Sequence, residues 1–261
     1  MPHDRFGLDD LPNRPTRPRT SGLTLVLDKG LSVRQVEDTL QMSADYVDAV
    51  KLGWGTAVVT PCLEEKLRAY RSAQVPVCFG GTLFEAFCMR GLLNEYRALL
   101  HAFQIEYVEI SDGTITLPHE EKLGYIRSFS EDFRVLSEVG SKDQAITLSP
   151  DTWVRMIRDE LEAGSWKVIC EARESGTAGV FDASGQIRSD IMDEIVEHID
   201  PGELVFEAPR KSQQVWFIRK FGPNVNLGNI PPDEVIPLET LRTGLRGDTL
   251  LSFFEAPGQG A

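Results

Sequence analysis

From Leu23 onward, short apolar or β-branched runs alternate with longer stretches of helical periodicity. The runs are Leu23 to Leu27, Tyr46 to Leu52, Val75 to Phe79, Tyr107 to Ile110, Arg134 to Val139, Lys167 to Cys170, Leu204 to Phe206 and Val225 to Leu227. Runs of this length, bounded by polar or Gly-bearing turns, predict strands. The stretches between them predict helices at 32 to 42, 61 to 73, 84 to 102, 117 to 130, 150 to 164, 190 to 199, 211 to 221 and 232 to 243. Start signals support several of these: Thr60 before Pro61 with Glu64 behind, Ser149 before Pro150, and Pro231 with Pro232. Strand and helix in strict alternation imply a parallel sheet with crossover helices, and eight such units close into a (β/α)8 TIM barrel. An open doubly wound sheet is the alternative, but LVLDKGLS after the first run is not the G-x-G-x-x-G of its usual dinucleotide turn.

The barrel is expected over residues 22–250. Before it, Pro12, Pro15 and Pro18 punctuate LPNRPTRPRT. Residues 1–21 therefore read as an extended arm that packs across the barrel bottom or a neighbouring subunit, or stays a loose terminus. Residues 251–261, ending APGQGA, read as a flexible tail. The 261 residues match the roughly 250 of an undecorated eight-fold barrel, and 41% hydrophobic with 26% charged residues supplies an ordinary globular core.

Charge narrows the partners. A formal net charge of −13 repels nucleic acid and anionic lipid alike. It also repels anionic substrates, so an anion site would need local cations and backbone N–H groups that outweigh the global field. No apolar stretch approaches the roughly 20 residues of a membrane span, and no signal-peptide core precedes the barrel. Cys62, Cys78, Cys88 and Cys170 show no C-x-x-C pair, which favours reduced thiols and a cytoplasmic setting. No G-x-S-x-G, H-E-x-x-H or P-loop pattern is present, and His3, His101, His119 and His198 are scattered over arm and helices.

Active sites of such barrels lie in the loops after the strands. Reading only those positions collects Asp28, Lys51, Gly80-Gly81-Thr82, Glu109, Glu138, Lys142, Glu171, Arg173, Ser175, Glu207, Arg210, Lys211, Asn226 and Asn229. Glu109, Glu138, Glu171 and Glu207 each end or directly follow an apolar run where a structural role would favour another hydrophobe. Together they suggest a cavity lining that holds a cation, either a divalent metal or Lys and Arg. Gly80-Gly81-Thr82 opens a helix, where N–H groups attract anions or simply make a tight turn. The Asn226 to Asn229 stretch starts within the last predicted strand and runs past its end, and the last strands of barrels often carry the phosphate site. Lys51 and Lys142 are either ammonium clamps or, if desolvated, Schiff-base amines; the flanking acids argue for the ammonium.

At these loops the sequence resembles the phosphosulfolactate synthase family of coenzyme M biosynthesis, which also includes heat-stress-associated plant proteins. The blocks that carry the resemblance are GLTLVLDKGL, DYVDAVKLGWGT, GGTLFE, VEISDGT, LSEVGSK, EARESG, FEAPRKSQQ, VNLGNI and ETLRTGLRGDT, spanning roughly residues 22 to 249. The resemblance implies a magnesium-dependent lyase on a barrel fold, adding sulfite to phosphoenolpyruvate to give (2R)-phospho-3-sulfolactate, and a homo-oligomer. For that chemistry the strand-end acids supply candidates: Glu109, Glu138 and Glu171 for Mg2+, Glu207 in the catalytic set beside them, and Asp28 to orient Lys51 or the metal. Lys142 is then the proton donor to C2. Lys51, Arg173, Arg210 and Lys211 neutralise phosphate and sulfite, while Gly80, Gly81, Thr82, Ser175, Asn226 and Asn229 add hydrogen bonds. Two departures touch this anion site: Ser141 stands where some relatives are more basic, and Arg210 where others are uncharged. Two other functions stay open, a different phosphoenolpyruvate-using or aldolase-type lyase on the same barrel and a noncatalytic stress-associated protein.

Overall fold

The computed structural model describes residues 6–8, 10–140, 148–172 and 175–253. Its strands are β1 (Thr24–Asp28), β2 (Ala49–Leu52), β3 (Val77–Phe79), β4 (Tyr107–Ile110), β5 (Arg134–Val139), β6 (Lys167–Cys170), β7 (Leu204–Glu207) and β8 (Leu227–Ile230). All pair in parallel in sequence order, and β8 returns to β1, closing the barrel. Helices α1 (Val33–Ser43), α2 (Thr56–Val59), α3 (Leu63–Ser72), α4 (Gly81–Cys88), α5 (Leu93–Ala102), α6 (His119–Ser130), α7 (Pro150–Glu162), α8 (Ser189–His198), α9 (Lys211–Phe221), α10 (Val235–Arg242) and α11 (Leu250–Phe253) cover it. The (β/α)8 barrel expected from the alternation is the fold observed.

Period-two alternation sorts each strand between two cores. Outward residues such as Val50, Val108, Val135, Val168 and Phe206 join the helices in the larger cluster. Inward ones form a small second cluster of Leu23, Leu25, Ala49, Cys78, Tyr107, Leu136, Ile169 and Val205 that fills the lower barrel. Two residues further along the same inward faces come Lys51, Glu109, Glu138, Glu171 and Glu207. The barrel interior therefore changes within one pleat from apolar to ionic, and the ionic layer sits at the C-terminal mouth.

Three elements depart from expectation. The helix predicted at 84 to 102 is two, because the chain turns at Met89 to Leu92 with Gly91 at φ 66°. Thr60 does not cap the third helix, since a short extra turn, α2, intervenes and Cys62 takes that position. Ser149, by contrast, caps α7 by accepting from Thr152 N. The last strand starts at Leu227, where Val225 to Leu227 was expected, and that shift moves both asparagines relative to the sheet.

The described part of the arm is pinned across the bottom. Arg14 bonds Glu239 and Asn224 at 2.9 and 2.6 Å, and Arg19 pairs with Asp48 at 2.9 Å. A fully buried Arg242 ties the same end together by donating to the carbonyls of Leu23, Pro223 and Val225. Residues 254–261, most of the expected tail, lie outside the described residues.

Candidate active site

Lys51 rises from β2 into the centre of the mouth, 3.1 Å from Glu109 Oε2 and 3.1 Å from Glu207 Oε1. Its side chain is 14% exposed and theirs 3%, so a solute entering the mouth meets the ammonium before these two carboxylates. Their remaining oxygens are tied to backbone. Glu109 Oε1 accepts from Gly81 N at 2.7 Å, and Glu207 Oε2 from Ala172 N at 3.0 Å. Each carboxylate thus bridges the lysine and a neighbouring strand-end peptide, which fixes three loops around one charge.

Glycine makes part of this possible. A Cβ on Gly81 would lie 2.4 Å from Ser111 Oγ and 2.9 Å from Glu109 Oε1, so only glycine lets this N–H approach the carboxylate. The anion attracted to the Gly80-Gly81 turn is therefore Glu109. Gly80 N is committed to Leu52 O at 3.0 Å, and partly buried Thr82 continues α4. At Gly140, with φ 128°, a Cβ would fall 2.7 Å from that of Glu171 and 2.8 Å from Trp153. That vacancy at the end of β5 admits Glu171, buried beside the equally buried Glu138 strand.

A second ionic layer stands behind the sheet. Lys122 on α6 is fully buried, yet it pairs with Asp112 at 2.8 Å and Glu160 at 2.7 Å and donates to Glu138 O at 2.6 Å. It fixes the peptide that carries one glutamate of the mouth. Asp28 plays the matching part beneath β1. Lys66 lies 2.6 Å from Asp28 Oδ2, to which Tyr70 also donates, while Gly30 N and Leu31 N hold Oδ1. Asp28 was expected to orient Lys51 or a metal; instead its oxygens anchor α3 and the first loop, because the last residue of β1 faces outward. Lys66, Lys122 and Glu160 were not foreseen. Their signal was present: Lys66 shares a buried helix face with Tyr70, Lys122 with Ile126 and Phe129, and Glu160 with Trp153 and Ile157.

The remaining expected residues divide. Asn226 was assigned to substrate, but it precedes β8 and belongs to the barrel bottom. Its Oδ1 accepts from Leu23 N, and its Nδ2 donates to Gly202 O and Leu204 O. Reading the last strand two residues early put it on the wrong rim. Asn229, within β8, does reach the interior beside Lys51, Glu109 and Glu207. Ser175 is exposed and bonds Thr177 at 2.7 Å. Arg210 and Lys211 are exposed at the start of α9, Arg210 reaching Ser184 O at 3.4 Å and Lys211 holding Asp248 at 3.1 Å. Lys142 and Arg173 lie outside the described residues.

Burial and charge oppose each other in the central cluster. Burial alone would lower the Lys51 pKa, but Glu109, Glu207 and Glu138 together hold it well above the usual lysine range. Burial raises the carboxyl of Glu109, a rise to which Glu138 and Glu207 add and which Lys51 and Gly81 N oppose. Lys51 is thus an ammonium, and an imine at this position would first have to strip a proton from a site built to keep it. Among the described residues no three His, Cys, Asp or Glu side chains converge as a metal-binding group. Glu109, expected as a metal ligand, has one oxygen on Gly81 N and the other on Lys51.

Comparison with known proteins places these features in a family. The model of (2R)-phospho-3-sulfolactate synthase (ComA) matches residues 12–248. Phosphosulfolactate synthase from Bacillus subtilis is 46% identical, covering 92% of this chain and 96% of the relative. The Methanothermobacter thermautotrophicus enzyme of the same name is 45% identical, covering 92% and 95%. The Arabidopsis thaliana protein HEAT-STRESS-ASSOCIATED 32 is 22% identical over 88% of both chains. Among solved structures, 3-hexulose-6-phosphate synthase from Salmonella typhimurium superposes with a TM-score of 0.54 at 16% identity, covering 84% of this chain and 97% of that one, a likeness of fold alone. No helix among the described residues is long and apolar enough to cross a membrane.

Removing the central cation has a signed consequence. In Lys51→Met Glu109 loses the counter-charge that opposes the rise of its carboxyl, so its folded pKa climbs further above the unfolded one. A group raised in this way contributes stability that is fully present below its unfolded pKa and lost as pH climbs through the folded value. The stability gap between wild type and Lys51→Met is therefore smallest near pH 5 and widens toward pH 8. There it reaches about 3–5 kcal/mol, as for other buried pairs deprived of one partner. Denaturant unfolding at the two pH values measures the gap; a constant or narrowing gap would contradict the ion cluster.

Proposed function

Because the chain belongs to the (2R)-phospho-3-sulfolactate synthase family, we propose that it adds sulfite to C3 of phosphoenolpyruvate, giving (2R)-phospho-3-sulfolactate. The observation that carries this reading is 46% identity to one such enzyme over 92% of the chain. The mouth supports it, with a fixed ammonium and a hard-oxygen lining at the C-terminal end of a closed barrel.

In the reaction the sulfur lone pair forms the C–S bond at C3, and the π electrons of the C2–C3 double bond pass to C2 and the carboxylate. A proton delivered to C2 completes the addition, and nothing leaves. Charge therefore grows on the substrate carboxylate, and cations fixed there bind the transition state more tightly than the ground state. Two anionic substrates need positive charge at the mouth beyond the Lys51 ammonium. The carboxylates of the mouth are the hard oxygen donors that a divalent cation takes. We assign Mg2+ to Glu138 and Glu171, since Mg2+ takes one or two carboxylates plus substrate and water oxygens. Bound there it would supply Lewis-acid neutralisation of the developing carboxylate charge. Arg173, Arg210 and Lys211 are assigned to the phosphate and sulfite, and Lys142 to the proton for C2.

The Lys51 ammonium disfavours the Schiff-base alternative at that residue, and the mouth's intact charged layer disfavours a noncatalytic barrel. The family, together with four cysteines that are all free thiols, supports a cytoplasmic setting, and the family supports a homo-oligomer.

Anaerobic incubation with phosphoenolpyruvate, sulfite and Mg2+ is expected to give the sulfonate by mass analysis, and thorough chelation to abolish its formation. Absence of the sulfonate with the metal supplied would contradict the assigned reaction, and undiminished turnover after chelation would contradict the metal. Within that reaction, Lys142→Met is expected to lower kcat by about 10² to 10⁴, the usual range for a general acid, with the phosphoenolpyruvate KM little changed. Lys51→Met is expected to raise KM, since it removes a charge felt in ground and transition states alike. Near-normal kcat in Lys142→Met would place the proton donor elsewhere.

A further inference from the structure

One side chain at the mouth carries a buried amide oxygen with no hydrogen-bond partner among the described residues. Asn229 stands in β8 with φ 55°, a left-handed conformation inside a strand. The cause lies in the sheet. Thr24 pairs with Leu227 and Val26 with Ile230, so two steps along β1 answer three along β8. The extra residue is a bulge, and bulges turn a side chain away from the direction its place in the pleat would give it. Asparagine is among the few residues other than glycine that accept this backbone readily.

The bulge delivers the carboxamide to the underside of the ionic layer. Asn229 is 5% exposed, and its buried Oδ1 accepts no hydrogen bond from any described residue. It lines a void of about 10 Å³ together with Lys51, Glu109 and Glu207, above the apolar floor of Leu25, Leu136, Ile169 and Val205. That size is near the lower limit for one water, about 10–15 Å³ by the same kind of measure, and far below that of phosphoenolpyruvate. Its upper wall offers several polar partners, as a buried water requires. Lys51 donates one N–H to Glu207 and forms an ion pair with Glu109 at 3.1 Å, leaving a donor for a further contact.

We propose that Asn229 is a positioning residue for Lys51, its Oδ1 taking a remaining N–H of the ammonium through a single water held in this void. Glu109 and Glu207 set the lysine laterally, and Asn229 sets it from below, so that the charge presented to the substrate anion keeps one direction. The kinetic consequence rests on the reaction proposed above; the structural contact does not.

Asn229→Gly keeps the left-handed backbone and deletes only the carboxamide, which separates conformation from contact. Its expected effect is a rise of about tenfold in the phosphoenolpyruvate KM, the size of one lost hydrogen bond to a charged group, with little change in kcat or Tm. In the Lys51→Met background the same substitution is expected to change KM by less than about twofold, because two residues acting through one contact are not additive. An equal effect in both backgrounds, or none in the wild type, would overturn the proposal while leaving the reaction standing. A high-resolution crystal structure of the wild-type protein gives a reading that needs no activity and no variant. Density for one water within hydrogen-bond distance of both Asn229 Oδ1 and Lys51 Nζ supports the contact, and a dry void rejects it. Failure of the wild type to form the sulfonate would count against the reaction alone.

Discussion

A single ammonium in a layer of carboxylates organises the functional end of this barrel. Lys51 neutralises part of the charge that Glu109, Glu138, Glu171 and Glu207 would otherwise pile up in a buried space. Without it the acids would have to protonate or the mouth would have to open. The pairing also makes the site rigid. Glu109 and Glu207 each spend one oxygen on Lys51 and one on a peptide N–H, so β2, the start of α4 and the peptide after β6 are held to a common centre. Such preorganisation is what lets fixed charges stabilise a transition state without reorganising as the reaction proceeds.

The mouth depends in turn on ions that never see solvent from the front. Lys122 with Asp112 and Glu160, and Lys66 with Asp28, sit between sheet and helices, where apolar packing would serve stability equally well or better. What they add is direction. Lys122 fixes the carbonyl of Glu138, and the Asp28 carbonyl receives Gly53 N at 2.9 Å, steadying the turn after Lys51. Each buried pair thus acts on a strand end that carries a charged side chain of the mouth. The larger cavity at the other end, about 580 Å³ beneath Arg17, Arg19 and Trp166, is lined by arginines and acids such as Arg134, Asp48 and Glu106 and, among the described residues, by no lysine.

Much of this was legible in the chain because period-two patterning is strong in buried strands. Glu109, Glu138 and Glu207 interrupt apolar runs at inward positions, and an inward charge at a strand's C-terminal end reads as function in this fold. What was not legible followed from register and partner choice. Asp28 looks equivalent to those glutamates by position, yet it faces the helices, and only the fold shows that Lys66 and Tyr70 await it. Gly81 looked like an anion site, and it is one, but the anion is the protein's own Glu109. Asn226 and Asn229 stand three residues apart in one short run; a shift of two residues in the last strand sends one to the barrel bottom, while a bulge turns the other into the mouth. Lys122 and Glu160 were hidden because a charge on an apolar helix face reads as a break in the pattern until both partners are seen together.

The most direct test of the organising ion pair is to watch the Lys51 ammonium itself. Heteronuclear NMR of protein carrying 15N- and 13C-labelled lysine, assigned by comparison with Lys51→Met, follows each lysine through alkaline pH. Lys51 is predicted to keep its ammonium signal after exposed lysines have titrated near the ordinary value of about 10.4, because Glu109, Glu207 and Glu138 hold its proton. A Lys51 that titrates with the exposed lysines, or below them, would show that burial outweighs the carboxylates and would contradict the account.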